Sequence, residues 1–483
     1  MQKQPLIFIC IYFLIRLFLM PIEHTGDGWG YACEILKGDL FAPHHILHKP
    51  FMMFMLQCTE FLHVQIEPIS LFSSINLFFS SLCLYVFYLI LNHFSRYDQL
   101  NLWLLILVAF TFGFIRYSTE NETYIIPLFL SLLGSYFHVK RKFFEGYFFL
   151  SLAVLFHQIH IFWLIAFFVP QKNENFQWKY LLGSLIFILT FYIGYAFIYG
   201  KNWYSLPFND VHEGLVETTP GIMNFIMTPI SFARTFFQIH GEIIPALTIA
   251  KTKWVSLLFI AILLVLCLLK TKSILTYFVI IFKKLTIKNI DFRNSFFLAF
   301  LLHLLFAFYS VGNAEFMVML PFLIILWQYH FLSQLSLKGI HYVGVVLCLW
   351  NYAFYVIPHS FVDFNKLSLK MKEIEFIQKY YHLKPENGLI ITEDNILLGN
   401  FLEYNRLIKK SNINIELIKP ADLNSQKNTQ KDSWFITDEF NDEGYFDRKK
   451  LVQKDRDFST TLKGMNFIKV SDSYYLYPCK SPI

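Results

Sequence analysis

Eleven apolar stretches constrain this chain more than any other feature. They cover residues 5–21, 68–92, 99–116, 124–139, 144–156, 158–170, 179–199, 253–269, 295–311, 314–333 and 340–357. A helix needs roughly 20 apolar residues to cross a bilayer, and every backbone N–H and C=O must then be bonded inside the segment. Runs of this kind predict membrane helices. Two of them, 144–156 and 158–170, are too short to cross singly and flank His157-Gln158-Ile159-His160. They predict either one bent 27-residue span or a hairpin of broken helices. A nine-residue run, Ile274 to Phe282, ends at Lys283-Lys284 and is expected at the interface.

Charge is distributed to match. The chain has 41 Lys+Arg and 35 Asp+Glu in 483 residues. Residues 361–483 hold 19 basic and 18 acidic residues, 37 of the 76 charges in a quarter of the length. A hydrophobic fraction of 55% in the whole chain excludes a soluble enzyme, a disordered chain and a secreted disulfide module. The first run, Pro5 to Met20, has no small-residue cleavage site after it and is expected to be a retained helix. Seven Cys lie without any CxxC pair, and Cys10, Cys83, Cys267 and Cys348 fall in apolar runs as small buried hydrophobes.

Basic clusters set the expected orientation. Lys140-Arg141-Lys142, then Lys172 and Lys179, then Lys270, Lys272, Lys283, Lys284, Lys288 and Arg293 mark cytoplasmic loops. Parity then requires 144–170 to go out and return. The N-terminus is expected in the cytoplasm, with loops 22–67, 117–123, 200–252 and 312–313 external. The net charge of +6 reports this orientation and not nucleic-acid binding. After Pro358 the pattern changes: 388–395, 412–417, 433–440 and 465–478 read as short strands, with helices expected at Asn400 to Lys410 and Phe446 to Lys454. The expected fold is an all-α polytopic membrane domain of about 11 segments (1–358) with a small external α/β or α+β domain (359–483). The expected location is the cytoplasmic (inner) membrane of a bacterium. GxGxxG, GxxxxGK[ST] and GxSxG motifs are absent, and so are repeats.

The first loop concentrates the chemistry. "PIEHTGDGWGYACEILKGDLFAPHHILHKPF" (Pro21 to Phe51) gathers His24, Asp27, Glu34, Asp39, His44, His45, His48 and Lys49. An ionisable group held at a membrane surface is a functional candidate. Trp29, Tyr31, Ile35 and Leu36 are spaced for an amphipathic helix on that surface. His45, His48 and Lys49 suit a phosphate, which needs donors but no fixed coordination geometry. The alternative is a divalent ion on Asp27, His44, His45 and Glu120, although no HExxH or equivalent motif fixes such a site.

The Asp after the first span, the following "Y..A..ILKG" and then "HH.L..P" resemble the first loop of the GT-C superfamily of membrane glycosyltransferases. The likeness is to the protein mannosyltransferase and aminoarabinose transferase branch (glycosyltransferase family 39-like). The resemblance implies a polyprenyl-phosphate sugar donor, external chemistry, and Asp27 as the carboxylate that deprotonates the acceptor. It also implies a second acidic residue in "RYSTENETY" (Arg116 to Tyr124), where Glu120 is favoured over Glu122. A helix cap is the alternative for Glu122. His157 and His160, at i and i+3, are implied to approach the donor phosphate, against the alternative of satisfied buried histidines. Family members often carry a basic residue near the start of the span at 314–333, where this chain has Glu315 after Gly312 and Asn313. That departure implies that Glu315 recognises a sugar hydroxyl, an amine or a metal, with a helix N-terminal carboxylate as the alternative; Asn313, Glu122, Tyr31 and His44 are further candidates for sugar or acceptor binding. In the loop 200–252, "NDVHEG" (Asn209 to Gly214) is polar, and "SFARTFFQIHGEIIP" (Ser231 to Pro245) reads as an interfacial helix. On that helix Arg234 clamps phosphate or snorkels to headgroups.

The resulting expectation is an inverting sugar transfer (EC 2.4 class) to a lipid, glycan or protein acceptor, with no nucleotide and no cofactor required by the sequence. Two alternatives accompany it: a transporter or flippase of a lipid-linked saccharide, and a non-catalytic envelope scaffold acting through 361–483.

Overall fold

The apolar runs fold as helices wherever they are described, and some are broken where the sequence runs on. The computed structural model describes residues 3–40, 42–168, 178–200, 221–239, 243, 253–265, 293–334, 337–365, 367–380, 389–391, 396–409, 415–417, 434–437, 468–469 and 475–478. The expected interfacial run 274–282, the "NDVHEG" segment, His240, Glu242 and the helix expected at 446–454 lie outside the described residues. The chain divides into two compact units, Met1–His24 with Lys37–Val362, and Thr25–Leu36 with Asp363–Ile483. Residues 25–36, expected with the membrane part, therefore group with the C-terminal residues.

The first unit is helical: α1 (Lys3–Phe18), α3 (His48–Phe61), α4 (Pro68–Phe94), α5 (Asp98–Ala109), α6 (Phe112–Tyr117), α7 (Ile125–Val139), α8 (Phe143–Phe156), α9 (Ile161–Phe168), α10 (Trp178–Ile198), α11 (Ile222–Phe236), α12 (Lys253–Val265), α13 (Arg293–Tyr309), α14 (Leu320–Leu332), α15 (Leu337–Asn351) and α16 (Ile357–Phe361). Four segments among the described residues are long and apolar enough to cross a membrane: Pro68–Phe94, Trp178–Ile198, Ala314–Leu332 and Gly339–Phe361. The expected span 99–116 is broken. Thr111 is extended, its hydroxyl bonds Val108 O at 2.8 Å, and Asn351 Nδ2 takes the Phe110 carbonyl at 2.7 Å. A polar partner from a distant helix thus ends α5 where apolarity alone would continue it.

The run 144–170 is two helices that fold back on each other. Tyr147, near the start of α8, stacks on Phe168 at the end of α9 with ring centroids 4.4 Å apart, and its hydroxyl donates to Phe167 O at 2.9 Å. The reversal is at His157, whose extended backbone (φ −156°, ψ 116°) interrupts the helix. Helices α7 and α8 approach backbone to backbone. A Cβ on Gly134 would lie 2.8 Å from Gly146 O, and one on Gly146 would lie 2.4 Å from the His138 ring. Small residues allow this approach where lipid supplies no hydrophobic drive between helices.

Exposure is inverted relative to a soluble bundle. Along α10, Leu182, Leu185, Leu189, Ile193 and Phe197 are exposed, while Ser184, Ile188, Tyr192 and Tyr195 are buried. Polar side chains inside the unit hold helices together. Asn351 also donates to Phe236 O at 2.8 Å and accepts from Gln238 N at 2.9 Å. Tyr329 donates to Asn101 Oδ1 at 2.7 Å, and Asn101 Nδ2 donates to Asn92 Oδ1 at 2.8 Å. Such bonds matter here because unpaired polar groups find no water in an apolar interior.

The second unit contains α2 (Gly26–Lys37), α17 (Leu367–Tyr380), α18 (Ile396–Lys409) and a five-stranded sheet. The strands are β1 (Leu389–Ile391), β2 (Ile415–Leu417), β3 (Trp434–Thr437), β4 (Ile468–Lys469) and β5 (Tyr475–Pro478), in the order β2-β1-β3-β5-β4. β1 runs parallel to β2 and β3, and β5 runs antiparallel to β3 and β4. α18 is the crossover between the parallel strands β1 and β2, which a two-residue turn cannot join. Asp363 caps α17, accepting from Leu367 N at 3.0 Å and from Ser368 N at 3.1 Å.

Candidate functional site

The segment 118–123 is polar in sequence yet buried in the first unit: Glu120 is 5% exposed, and Asn121, Glu122 and Thr123 are each 3% or less. Its backbone is therefore paid for by side chains from elsewhere. Asn76, buried on α4, donates through Nδ2 to Glu120 O at 2.7 Å and to Glu122 O at 2.9 Å. Arg16, buried on α1, donates through Nη2 to Ile115 O at 3.0 Å and to Thr119 Oγ1 at 2.7 Å. The Glu120 carboxylate is held on one oxygen only. Oε1 accepts from Arg116 Nε at 2.9 Å and from the Tyr355 hydroxyl at 2.9 Å. Oε2 is buried and has no hydrogen-bond partner among the described residues. One carboxylate oxygen is thus fixed by an ion pair, and the other is left to accept.

A second cluster lies across four segments. His45, on the turn Pro43–His45, has its ring 4.5 Å from that of His157 at the α8–α9 reversal. The His157 ring lies 5.0 Å from Tyr124, and the Tyr124 hydroxyl donates to Glu315 Oε2 at 3.0 Å. His44 hydrogen-bonds Gln158 through Nδ1. The first loop is held in place by Leu47 N, which donates to Leu155 O at 3.1 Å, and by Tyr192, which donates to Pro43 O at 3.2 Å. Tyr195 adds bonds to Leu40 O and Ala42 N.

Burial sets the charge state of these imidazoles. It pushes His45 well below the usual histidine range, with His48, His44 and Lys49 adding repulsion in the same direction. His157 is lowered by burial first, then by His45, His160, His44 and His48. His48 is lowered to about 3 by burial and by Lys49. Near neutral pH these rings are neutral, each with one donor and one acceptor nitrogen. An arriving anion favours their charged forms.

The other candidates are spread more widely. His48 and Lys49 are buried at the start of α3. His160 hydrogen-bonds Ser131 Oγ at 2.7 Å and lies 6.0 Å, centroid to centroid, from His303, which turns it toward α7 and α13. Arg234 is buried on α11 with its guanidinium 5.7 Å over the Phe112 ring, so it does not snorkel outward. Glu122 is buried two residues before Tyr124, the N-cap of α7. Asn313 caps the turn Ala314–Met317, accepting from Glu315 N at 3.1 Å, and Glu315 reaches across to Tyr124 rather than only facing a helix end. Asp27, exposed, and Tyr31, half-buried, are on α2 in the second unit. Among the described residues no three His, Cys, Asp or Glu side chains gather as a metal set.

Sequence reasoning missed Arg16, Asn76, Tyr124, Arg116, Tyr355, Gln158 and His303 as partners of this region. Arg16 carried a readable signal, a charged residue inside an apolar run. Tyr355 carried none.

No family model matches the chain, and no curated protein matches it. A solved structure, the crystal structure of ArnT from Cupriavidus metallidurans in the apo state, is similar over 99% of this chain and 99% of its own, at 10% identity and a TM-score of 0.44. A likeness of that strength fixes neither fold nor activity.

Proposed function

We propose that this protein is a membrane glycosyltransferase that moves a sugar from a polyprenyl-phosphate donor to a hydroxyl or amine of an acceptor. The observation that carries the reading is the meeting of half-buried His45 with buried His157, from separate loops, beside Tyr124 and its Glu315 partner. Neutral imidazoles and a buried lysine in a helical membrane unit suit an anionic headgroup attached to a lipid chain. Phenol and carboxylate groups next to them suit sugar hydroxyls.

In the proposed reaction the acceptor oxygen or nitrogen attacks the anomeric carbon as the bond to the phosphate oxygen breaks. The phosphate takes the bonding electrons, and His45, His48, Lys49 and His157 offset its charge. The acceptor proton goes to a carboxylate, for which Asp27 is the proposed base; attack from the opposite face inverts the anomeric centre. Glu120 has one oxygen tied to Arg116 and Tyr355 and the other open, so its proposed part is to orient a donor or acceptor hydroxyl through Oε2. The proposed setting is a bacterial inner membrane with the C-terminal unit outside.

The test is transfer from radiolabelled polyprenyl-phosphate sugars in nanodiscs, reading free polyprenyl phosphate and glycosylated acceptor. Asp27→Asn should abolish turnover, and His157→Ala should weaken donor binding. Donor binding without turnover in the wild-type protein across a panel of acceptors would defeat the reading. So would sugar accumulation inside sealed vesicles with the lipid–sugar bond intact.

A further inference from the structure

The helix that carries Asp27 is built into the C-terminal unit. Residues 25–36 and 363–483 form one compact body, and α2 meets α18 through a specific set of contacts. Asn400 Nδ2 donates to Gly26 O at 2.8 Å, and the Cys33 thiol donates to Asn400 O at 3.4 Å. The Trp29 indole lies edge-on to Phe401 at 5.1 Å and tilted against Tyr404 at 4.9 Å. Trp29 is 5% exposed and Tyr404 is 1% exposed, so this is core packing. Two glycines allow the approach. A Cβ on Gly30 would stand 2.8 Å from Asn400 Nδ2, and one on Gly26 would stand 3.3 Å from Leu397 N. The Gly26 carbonyl belongs to the peptide bond that joins Gly26 to Asp27. Asn400 therefore grips the peptide unit that sets the Asp27 Cα.

We propose that Asn400 is a positioning residue for Asp27, and that the C-terminal unit is for this reason part of the catalytic apparatus and not a docking module. The catalytic part rests on the glycosyltransferase reading above; the mechanical part does not. Asn400 touches no reacting atom in this account. It fixes where the base stands, and a carboxylate displaced by about an ångström loses much of its rate.

The experiment uses the full chain in lipid nanodiscs and four variants: Asn400→Ala, Asn400→Asp, Gly30→Ala and the double Gly30→Ala/Asn400→Ala. Two readouts are taken on each, amide hydrogen exchange over residues 25–37 and transfer kinetics. Asn400→Asp keeps the shape but presents an acceptor to the Gly26 carbonyl, so it should loosen α2 more than Asn400→Ala does. A residue that only fills space would give the opposite order. Asn400→Ala should lower kcat about tenfold with the donor KM unchanged, as expected for one lost hydrogen bond to a positioned peptide. Gly30→Ala drives a methyl onto the Asn400 amide and should speed exchange although alanine favours helix. In the double variant the amide is gone, so the effects should not multiply. Unchanged exchange over 25–37, multiplying effects, or Asp milder than Ala would overturn the proposal. If the exchange pattern holds while wild-type protein transfers no sugar, α2 is held as described and the glycosyltransferase reading fails by itself.

Discussion

The buried histidines make stability depend on pH, and the sign follows from their environment. His45, His48 and His157 are held neutral by burial, well below the 6.5 of a free imidazole, and His48 to about 3. Between 6.5 and the folded values the unfolded chain binds more protons than the folded one, so stability falls as pH falls. One pH unit below 6.5, each such ring costs about 1.4 kcal/mol relative to neutral pH. Three rings together cost about 4 kcal/mol at pH 5.5. The assay is thermal unfolding in nanodiscs by tryptophan fluorescence at pH 7.5, 6.5 and 5.5, on wild type and on His157→Asn, which removes one titrating ring. Wild type should lose stability steeply below pH 6.5, and the variant should lose about a third less. An anion reverses the effect. A phosphate charge about 4 Å from an imidazolium contributes about 4 kcal/mol at an effective dielectric of 20, or about three pKa units. A short-chain polyprenyl phosphate should therefore restore stability at pH 5.5 and bind more tightly as pH falls. Flat stability from pH 7.5 to 5.5, equal slopes in the two proteins, or anion binding that weakens on acidification would refute the reasoning.

Three substitutions probe the frame of the site. Asn351→Leu leaves the Phe110 and Phe236 carbonyls and the Gln238 amide without their side-chain partner, and should cost about 3 kcal/mol at about 1 kcal/mol per group, read as a lowered midpoint in denaturant. Gly312→Ala puts a Cβ 2.6 Å from the Met227 and Thr228 backbone at a φ of +68°, and should cost about 3 kcal/mol or more; normal thermal stability would show that α11 does not pack there. Tyr355→Phe removes one of two donors to Glu120 Oε1 and should lower transfer about tenfold while costing about 2 kcal/mol, checked by kinetics beside unfolding.

The polar residues of the candidate site stood out in the sequence because they interrupt apolar runs. His157, His160, Glu120 and Glu315 were visible for that reason, as were His44, His45 and His48 by their density. Their partners were not. Tyr124 and Glu315 are 191 positions apart, and Tyr355 and Glu120 are 235 apart, so no local spacing links them. The exclusion of Arg234 from the surface was equally hidden, since an amphipathic helix gives no sign of what covers its polar side.

By itself the sequence determined that the first unit is helical, with runs long and apolar enough to cross a membrane, because only internally bonded backbone survives in hydrocarbon. It determined the reversal near His157, where four residues replace an apolar run. Helix ends and side-chain partners were decided by tertiary structure. Thr111 ends α5 because Asn351 takes the Phe110 carbonyl, and no pattern within 99–116 contains that information. The membership of α2 is the clearest case: its residues follow the first span directly, yet Trp29 packs on Phe401 and Tyr404. An apolar face specifies that something must cover it, and only the folded chain specifies what.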